Sequence, residues 1–277
     1  MDNTSQIDYW NGVAGQKWVR DADRLDVMLA PFAEAIVAPA LPSPGQAVID
    51  VGCGAGALSL NVMASAANVS VTGVDVSVPL IELARKRSAA VGAGIEFVVA
   101  DASVWKPKEP VDLVISRFGV MFFADPVAAF ANIHASVKAK GKLRFACWRP
   151  LSENPWAMLP LQVAMPLLKS PPTPPEPGSP GPFAFGDADH VNRILIESGW
   201  SNISVQPWDG DLVLPGGNAD ETADFMLEIG PLSRAIAEQG VDPSAVKSAL
   251  IDALKSLAGE DGRTRLKAAA WIVEAEA

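Results

Sequence analysis

The sequence predicts an α/β fold, a parallel sheet with helices on both faces, and three observations carry that expectation. From residue 47 onward, short β-branched runs alternate with longer stretches of helical period, as repeated βαβ units require. The short runs are close to continuously apolar, which suits strands buried on both faces. Hydrophobic residues make up 49% of the 277 positions, enough for one large core with a small appended lobe, so the whole chain, 1–277, is read as a single domain.

The elements follow in order. Residues 10–38 form a Trp-rich helical preface. Strands are expected at 47–51, 70–74, 95–99, 111–116 and 141–148. Helices fill the gaps at 57–66, at 78–91 with Leu80, Leu83 and Ala84 on one face, and at 126–137 with Phe130, Ile133 and Val137 at helical spacing. Seven prolines between residues 171 and 182 exclude both helix and ladder and predict an extended connector, either a surface linker or a rim over the site. A helix at 187–198 opens on Asp187 and stops at Gly199. Short strands are expected at 203–205 and 211–214, then helices at 219–229 and 243–257, the second opened by Asp242-Pro243. The tail RLKAAAWIVEAEA is ambiguous, because its alanines favour helix while Trp271, Ile272 and Val273 favour strand.

Composition narrows the partners. A net charge of −10 repels phosphate backbones and anionic lipid, so neither nucleic acid nor a membrane surface is expected as a partner. The basic run Arg85-Lys86-Arg87 reads as a solvated helix face. The opening MDNTSQIDYW lacks a basic then apolar leader, and no apolar stretch reaches the ~20 residues that span a bilayer, so a cytoplasmic location is expected. Cys53 and Cys147 suggest no disulfide framework. A small-molecule substrate is expected, with the chain a monomer or a homodimer.

The chemistry concentrates in VIDVGCGAGALSL, residues 48–60. Glycines at 52, 54 and 56 stand between a strand and a helix N-terminus, where backbone N–H groups can approach a ligand that any Cβ would obstruct. The spacing alone does not separate a nicotinamide dinucleotide from an adenosyl ligand. Three carboxylates do. Asp50 precedes the glycines and suits a ligand carrying an ammonium group. Asp75, followed by Val76, closes the second strand and suits ribose hydroxyls. Asp101, followed by Ala102, closes the third strand and suits an adenine amine. Each carboxylate alone could be a cap or a loop residue, but their recurrence at successive strand ends forms one adenosine site.

VIDVGCGAGALSL, VTGVDVS, FVVADAS and VDLVISRFGVMFFADP followed by GKLRFACW together resemble the class I S-adenosylmethionine-dependent methyltransferases, over about residues 45–150. A looser resemblance, through YWNGVAGQKWV, SENPW and GPFAFGDADHV, is to a bacterial small-molecule subgroup of that family. The resemblance implies a three-layer sandwich around a seven-stranded, mostly parallel, Rossmann-like sheet. Its last strand is antiparallel and inserted between the fifth and sixth, which makes RLKAAAWIV that strand, preceded by a helical insertion. It divides the chain into an N-terminal helical lid (1–44), a cofactor-binding core (45–150), a Pro-rich connector (151–186) and a C-terminal part (187–277). One departure stands out: Leu58 occupies a position where relatives carry a hydroxyl, although Ser59 retains one and Asn61 adds a polar group.

The implied cofactor carries an electrophilic methyl, so the protein mainly has to align an acceptor, a proximity effect worth up to ~7–11 kcal/mol. A base is needed only for a protonated acceptor. His134 and His190 read as structural or surface residues, and no metal cluster is expected. Arg117, after the fourth strand, could bind a cofactor or substrate carboxylate or phosphate, or simply pair with Asp101 or Asp125. Arg117, Asn154 and Trp156 are the candidates for a catalytic role. Tyr9, Trp10, Trp18, Phe118, Met121, Phe122 and Trp156 are the candidates to line an aromatic substrate pocket, with packing as the rival role. The leading function is methyl transfer from S-adenosylmethionine to a small acceptor. The alternatives are a methyltransferase-fold dehalogenase that passes carbon from a halogenated methane to tetrahydrofolate, suggested by Leu58 and the aromatic pocket, and a non-catalytic ligand-binding protein. A nicotinamide oxidoreductase is disfavoured by the lack of a second βαβ half.

Overall fold

The computed structural model describes residues 3–38, 42–176 and 178–277. Strands β1 (Ala47–Val51), β2 (Ser70–Asp75), β3 (Glu96–Val99), β4 (Val111–Arg117), β5 (Val137–Trp148), β6 (Ser201–Val213) and β7 (Arg265–Glu276) form one sheet ordered β3-β2-β1-β4-β5-β7-β6. The pairs β1–β2, β2–β3, β1–β4 and β4–β5 are parallel, and β7 runs antiparallel to both β5 and β6. The chain therefore builds outward from β1 to one side, returns, and builds from β4 to the other. In open sheets of this kind ligands bind beyond the carboxyl ends of the strands at such a reversal, here the ends of β1 and β4.

Helices α4 (Ala57–Ser65), α5 (Val78–Ala90) and α6 (Pro126–His134) connect the parallel strands. Val48, Val51, Val74, Val114, Phe145 and Val273 are buried in the sheet, consistent with cover on both faces. The preface is three helices, α1 (Thr4–Asn11), α2 (Val13–Arg20) and α3 (Ala22–Val37); only α3 is deeply buried, through Leu25, Leu29, Phe32 and Ile36.

Several expected boundaries move. Val137 opens β5 and does not close α6, which stops at His134. Val137 pairs with Val111, and the register then shifts before Leu113 meets Lys142. Lys140, at φ 64°, and Gly141 make this bulge: a Cβ on Gly141 would strike Val137 Cγ1 at 2.4 Å. The two short strands expected around 203–205 and 211–214 are one continuous strand, β6. It tolerates Pro207 and Gly210 because it lies at the sheet edge and pairs only with β7. The segment 151–186 is not all connector, since α7 (Pro155–Ala164) occupies its start; α8 (Ala188–Glu197) follows it. The helical insertion has a third member: α10 (Pro231–Gln239) stands between α9 (Ala219–Glu228) and α11 (Pro243–Lys255). The tail is β7, antiparallel and between β5 and β6, as the family resemblance implied.

Candidate functional site

The three glycines after β1 do three different things. A Cβ on Gly52 (φ 66°) would lie 2.6 Å from Gly119 Cα, so the loop after β1 packs backbone to backbone against the turn after β4. A Cβ on Gly56 would strike the Phe97 ring at 2.9 Å and Ala84 at 3.1 Å, so that glycine seats α4 on its neighbours. Gly54 (φ 52°) is different: nothing lies within 4 Å of where its Cβ would be. The open space a ligand backbone contact needs is at Gly54.

Around that space stand the three carboxylates. The Gly54 N–H donates to Asp75 Oδ2 at 2.8 Å and the Ser77 N–H to Asp75 Oδ1 at 2.8 Å. The Asp75 carboxylate is thus held in place by backbone donors, and burial still raises its pKa. Asp50 is 1% exposed. The Ser59 hydroxyl donates to its Oδ2 at 2.6 Å, while Oδ1 is buried without a partner among the described residues. Burial pushes the Asp50 pKa up to about 7, against the opposing pull of Ser59 and the Arg117 charge. Asp101 Oδ1 accepts from Asn3 Nδ2 at 3.0 Å and from the Ser103 N–H at 2.9 Å. Ala102 is buried and its carbonyl accepts from Asn132 Nδ2.

The N-terminal helices close over these strand ends. Asn3 bridges Asp101 to the Ala124 N–H, which donates to Asn3 Oδ1 at 2.8 Å. Ser77 Oγ donates to the Trp10 carbonyl at 2.8 Å. Asn11 donates to the Val76 carbonyl at 2.9 Å and accepts from the Val78 N–H at 2.9 Å. Sequence reasoning missed Asn3 and Asn11, whose partners at the strand ends, Asp101 and the Val76 carbonyl, are 98 and 65 positions away and leave no local signal.

Arg117 pairs with neither Asp101 nor Asp125. Its Nη2 donates to Asp26 Oδ1 of α3 at 2.9 Å, and Asp26 Oδ2 accepts from Arg87 Nη1 at 2.9 Å. Arg87 also pairs with Asp23 and donates to the Ala55 carbonyl in the glycine loop. Arg87 is therefore no solvated face: its side chain is 18% exposed and ties α3 to the site. Asp125 instead caps α6 through the Ala128 N–H.

The expected aromatic pocket divides in two. Trp10 meets Tyr9, Trp18 and Phe122 edge-on, with centroids 5.2–5.6 Å apart, under the N-terminal helices. Phe118 belongs to a second cluster. It takes φ 63°, is buried, and stacks on Trp148 at 4.0 Å, with Phe32 at its edge and Trp156 beyond Trp148. Met121 is fully buried and packs under Trp148, whose N–H points at its sulfur. The Met121 carbonyl accepts from the Gly181 N–H, so the far end of the connector rests on the turn after β4.

Asn154 is wholly buried with its polar atoms engaged. Its Nδ2 donates to the carbonyls of Arg149, Pro150 and Ala269, and its Oδ1 accepts from the Ala269 N–H and Trp156 Nε1. Asn154 is a latch between the end of β5 and β7. Trp156 lines an apolar cavity of about 10 Å³ with Phe225, Met226, Ile229 and Leu232, facing the inserted helices. Leu58 is 2% exposed and packs in the core, while Ser59 turns to Asp50. His134 packs edge-on against Trp200 and His190 against Phe185. Among the described residues no group of three or more acidic, His or Cys side chains could hold a metal, and no helix is long and apolar enough to cross a membrane.

Residues 48–141 match a family model described as a methyltransferase domain. Phosphoethanolamine N-methyltransferase 1 of Arabidopsis thaliana is 36% identical over 101 residues, 36% of this chain and 20% of that protein. An aklanonic acid methyltransferase of Streptomyces sp. (strain C5) is 32% identical over 127 residues, 44% of this chain and 58% of that protein. The chain thus matches about a fifth of the length of the plant relative. Among solved structures, phosphoethanolamine N-methyltransferase 2 of Haemonchus contortus, in complex with phosphomonomethylethanolamine and S-adenosylhomocysteine, superposes with a TM-score of 0.52 at 18% identity. That superposition covers 88% of this chain and 51% of the other, and it shows a shared fold.

Proposed function

We infer that this chain, whose residues 48–141 match a methyltransferase-domain family, is a class I S-adenosylmethionine-dependent methyltransferase that transfers a methyl group from S-adenosylmethionine to a small-molecule acceptor. The observation that carries this reading is the open space at Gly54, flanked by the carboxylates of Asp50, Asp75 and Asp101 at three strand ends. These residues fit the cofactor. Asp75, oriented by two backbone donors, keeps lone pairs for ribose hydroxyls, and Asp101 stands one strand further out for the adenine amine. Asp50 Oδ1 is a buried acceptor in want of a donor, which the cofactor's ammonium group supplies. Arg117 gives Asp26 one nitrogen and offers the rest of its fork to a carboxylate.

S-adenosylmethionine supplies an electrophilic sulfonium methyl. The protein's part is to exclude water and align the acceptor, with α1 and α2 as cover and the Trp10 cluster as an apolar wall. No histidine is placed to act as a base. The two relatives, named for phosphoethanolamine and aklanonic acid, support a small acceptor, as does the acidic surface, which opposes nucleic acid and membrane partners. Of the two features that suggested the tetrahydrofolate alternative, Leu58 is a core residue and the aromatic side chains form two clusters.

Calorimetric titration tests the reading. S-adenosylhomocysteine is expected to bind with a dissociation constant of about 1–100 μM. No heat from either it or S-adenosylmethionine at millimolar concentration overturns the proposal. Cofactor binding without turnover across a broad acceptor panel would indicate a ligand-binding protein instead.

A further inference from the structure

Helices α2 and α3 face the inserted helices α9–α11 across a groove of about 550 Å³, a size that suits a small molecule. Phe225 and Ile236, both buried in the core, supply an apolar floor. The walls bring together Lys17, Arg20, Arg24 and Lys247, in a chain whose net charge is −10. Asp21, Asp224 and Glu228 share the groove, and Asp220 reaches Lys247 from beside it, so the four cations are balanced by carboxylates and differ in how fully each is engaged.

The arrangement is built. Asp21 lies in the wall with its side chain 6% exposed, and its Oδ2 accepts from Arg20 Nε at 3.0 Å and Nη2 at 2.8 Å. Its Oδ1 lies 3.5 Å from Arg24 Nη1. One buried carboxylate therefore fixes two guanidinium groups at the groove. Arg24 has only that long contact to a carboxylate already doubly engaged by Arg20, which leaves its planar fork largely unspent. Lys17 rests on Glu228 at 3.0 Å and Ser233 Oγ at 3.1 Å, and Lys247 on Asp224 at 2.7 Å. Solvent-accessible pairs of this kind are worth only ~0–1 kcal/mol each, so an incoming anion can share these cations at little cost. Helix α3 is common to the groove and the candidate cofactor site: Asp21 and Arg24 line the groove, and Asp26, on another face of the same helix, holds Arg117 and Arg87 beside the glycine loop.

We propose that this groove seats an anionic group, carboxylate or phosphate, of the methyl acceptor, with Arg24 as its principal ligand. The proposal rests on the methyl-transfer reading above. It is tested by calorimetry on the full chain saturated with S-adenosylhomocysteine, with benzoate and inorganic phosphate as anions and methyl benzoate as the neutral match. Saturable binding of at least one anion is expected, about tenfold weaker in Arg24→Ala and partly restored in Arg24→Lys. Methyl benzoate should not saturate, and Arg234→Ala, which lies outside the groove, should bind as wild type. The proposal fails if neither anion saturates by ~50 mM, or if Arg24→Ala and Lys247→Ala bind as wild type does. S-adenosylhomocysteine binding without anion binding would remove this inference and leave methyl transfer standing. Anion binding through Arg24 in a chain that does not bind S-adenosylhomocysteine would make the groove an anion site with no acceptor role, and would overturn the proposal.

Discussion

At the residue scale, Asp50 links stability to pH. Its pKa, pushed up by burial to about 7, lies well above the usual carboxylate range, so the folded state keeps a proton that the unfolded chain has already released. The sign follows. Below about pH 4 both states are protonated and Asp50 costs nothing. As pH rises toward 7 the cost of a buried carboxylate grows, to a ceiling on the order of 4 kcal/mol. Asp50→Asn keeps the shape and removes the ionisation, so its stability relative to wild type should rise between pH 5 and pH 8 in urea titrations. A difference that stays constant across that range would show that Asp50 is ionised in the fold as it is in the unfolded chain, with no raised pKa. Because the ionised form is the one that pairs with an ammonium group, wild-type affinity for S-adenosylhomocysteine should rise from pH 6 to pH 8, and Asp50→Asn should show no such rise. Gly54→Ala makes a second prediction. The left-handed φ costs ~1–2 kcal/mol for an alanine, with no steric clash, so the variant folds. Its methyl enters the open space, and affinity for S-adenosylhomocysteine should fall at least about tenfold. Thermal melts and calorimetry together separate the two effects.

At the scale of elements, the Asn154 latch matters more to β7 than to chemistry. Asn154→Ala removes the acceptor of the buried Ala269 N–H and of the Trp156 indole, and leaves the Ala269 carbonyl with the Arg149 N–H alone. A loss of about 2–4 kcal/mol of stability is expected in chemical denaturation, with the affinity for S-adenosylhomocysteine little changed. This element also shows what the sequence could convey. The strands carrying the glycines, Asp75 and Asp101 were legible because βα alternation and strand-end carboxylates repeat over short distances. Asn154 was legible as a polar residue after β5 but not as a latch, because its partner Ala269 is 115 positions away. Likewise Val137 had helical spacing from Ile133, and only pairing with Val111 decided that it belongs to a strand. Leu58 looked like a lost polar contact. The helix turn that buries it is the same one that points Ser59 at Asp50.

At the scale of the molecule, the cover over the site is lightly held. No residue of α1 is buried, and its ties to the body include the side chains of Asn3 and Asn11, the Trp10 carbonyl and the edge-on contact of Trp10 with Phe122. Few buried contacts and exposed amides mark a segment that opens locally at small free-energy cost. Saturating S-adenosylhomocysteine should therefore slow hydrogen exchange in α1 and α2 more than in α3, whose Phe32 and Ile36 are fully buried. Equal protection of all three helices would show that the cover moves with the core. The separation of the aromatic residues into two clusters was beyond sequence reasoning for a related reason. Seven aromatic and apolar side chains were expected around one pocket, and the fold divides them, Phe118, Met121 and Trp156 with Trp148, and Tyr9, Trp18 and Phe122 with Trp10.

The position of β7 has a consequence for how the chain is made. β6 pairs with no other strand, and β7 is the bridge that joins it to β5. During synthesis β6 emerges with nothing to pair with, and it waits while the chain through α9–α11 is added. Closing β5 onto β7 then joins residues more than a hundred positions apart, an entropic step that slows folding. The glycine loop and its carboxylates can assemble on β1 to β4 well before that closure. A nascent chain could therefore form its adenosine cradle while its thirteen-residue edge strand is still unprotected, which makes the interval before β7 arrives the period of greatest exposure to aggregation.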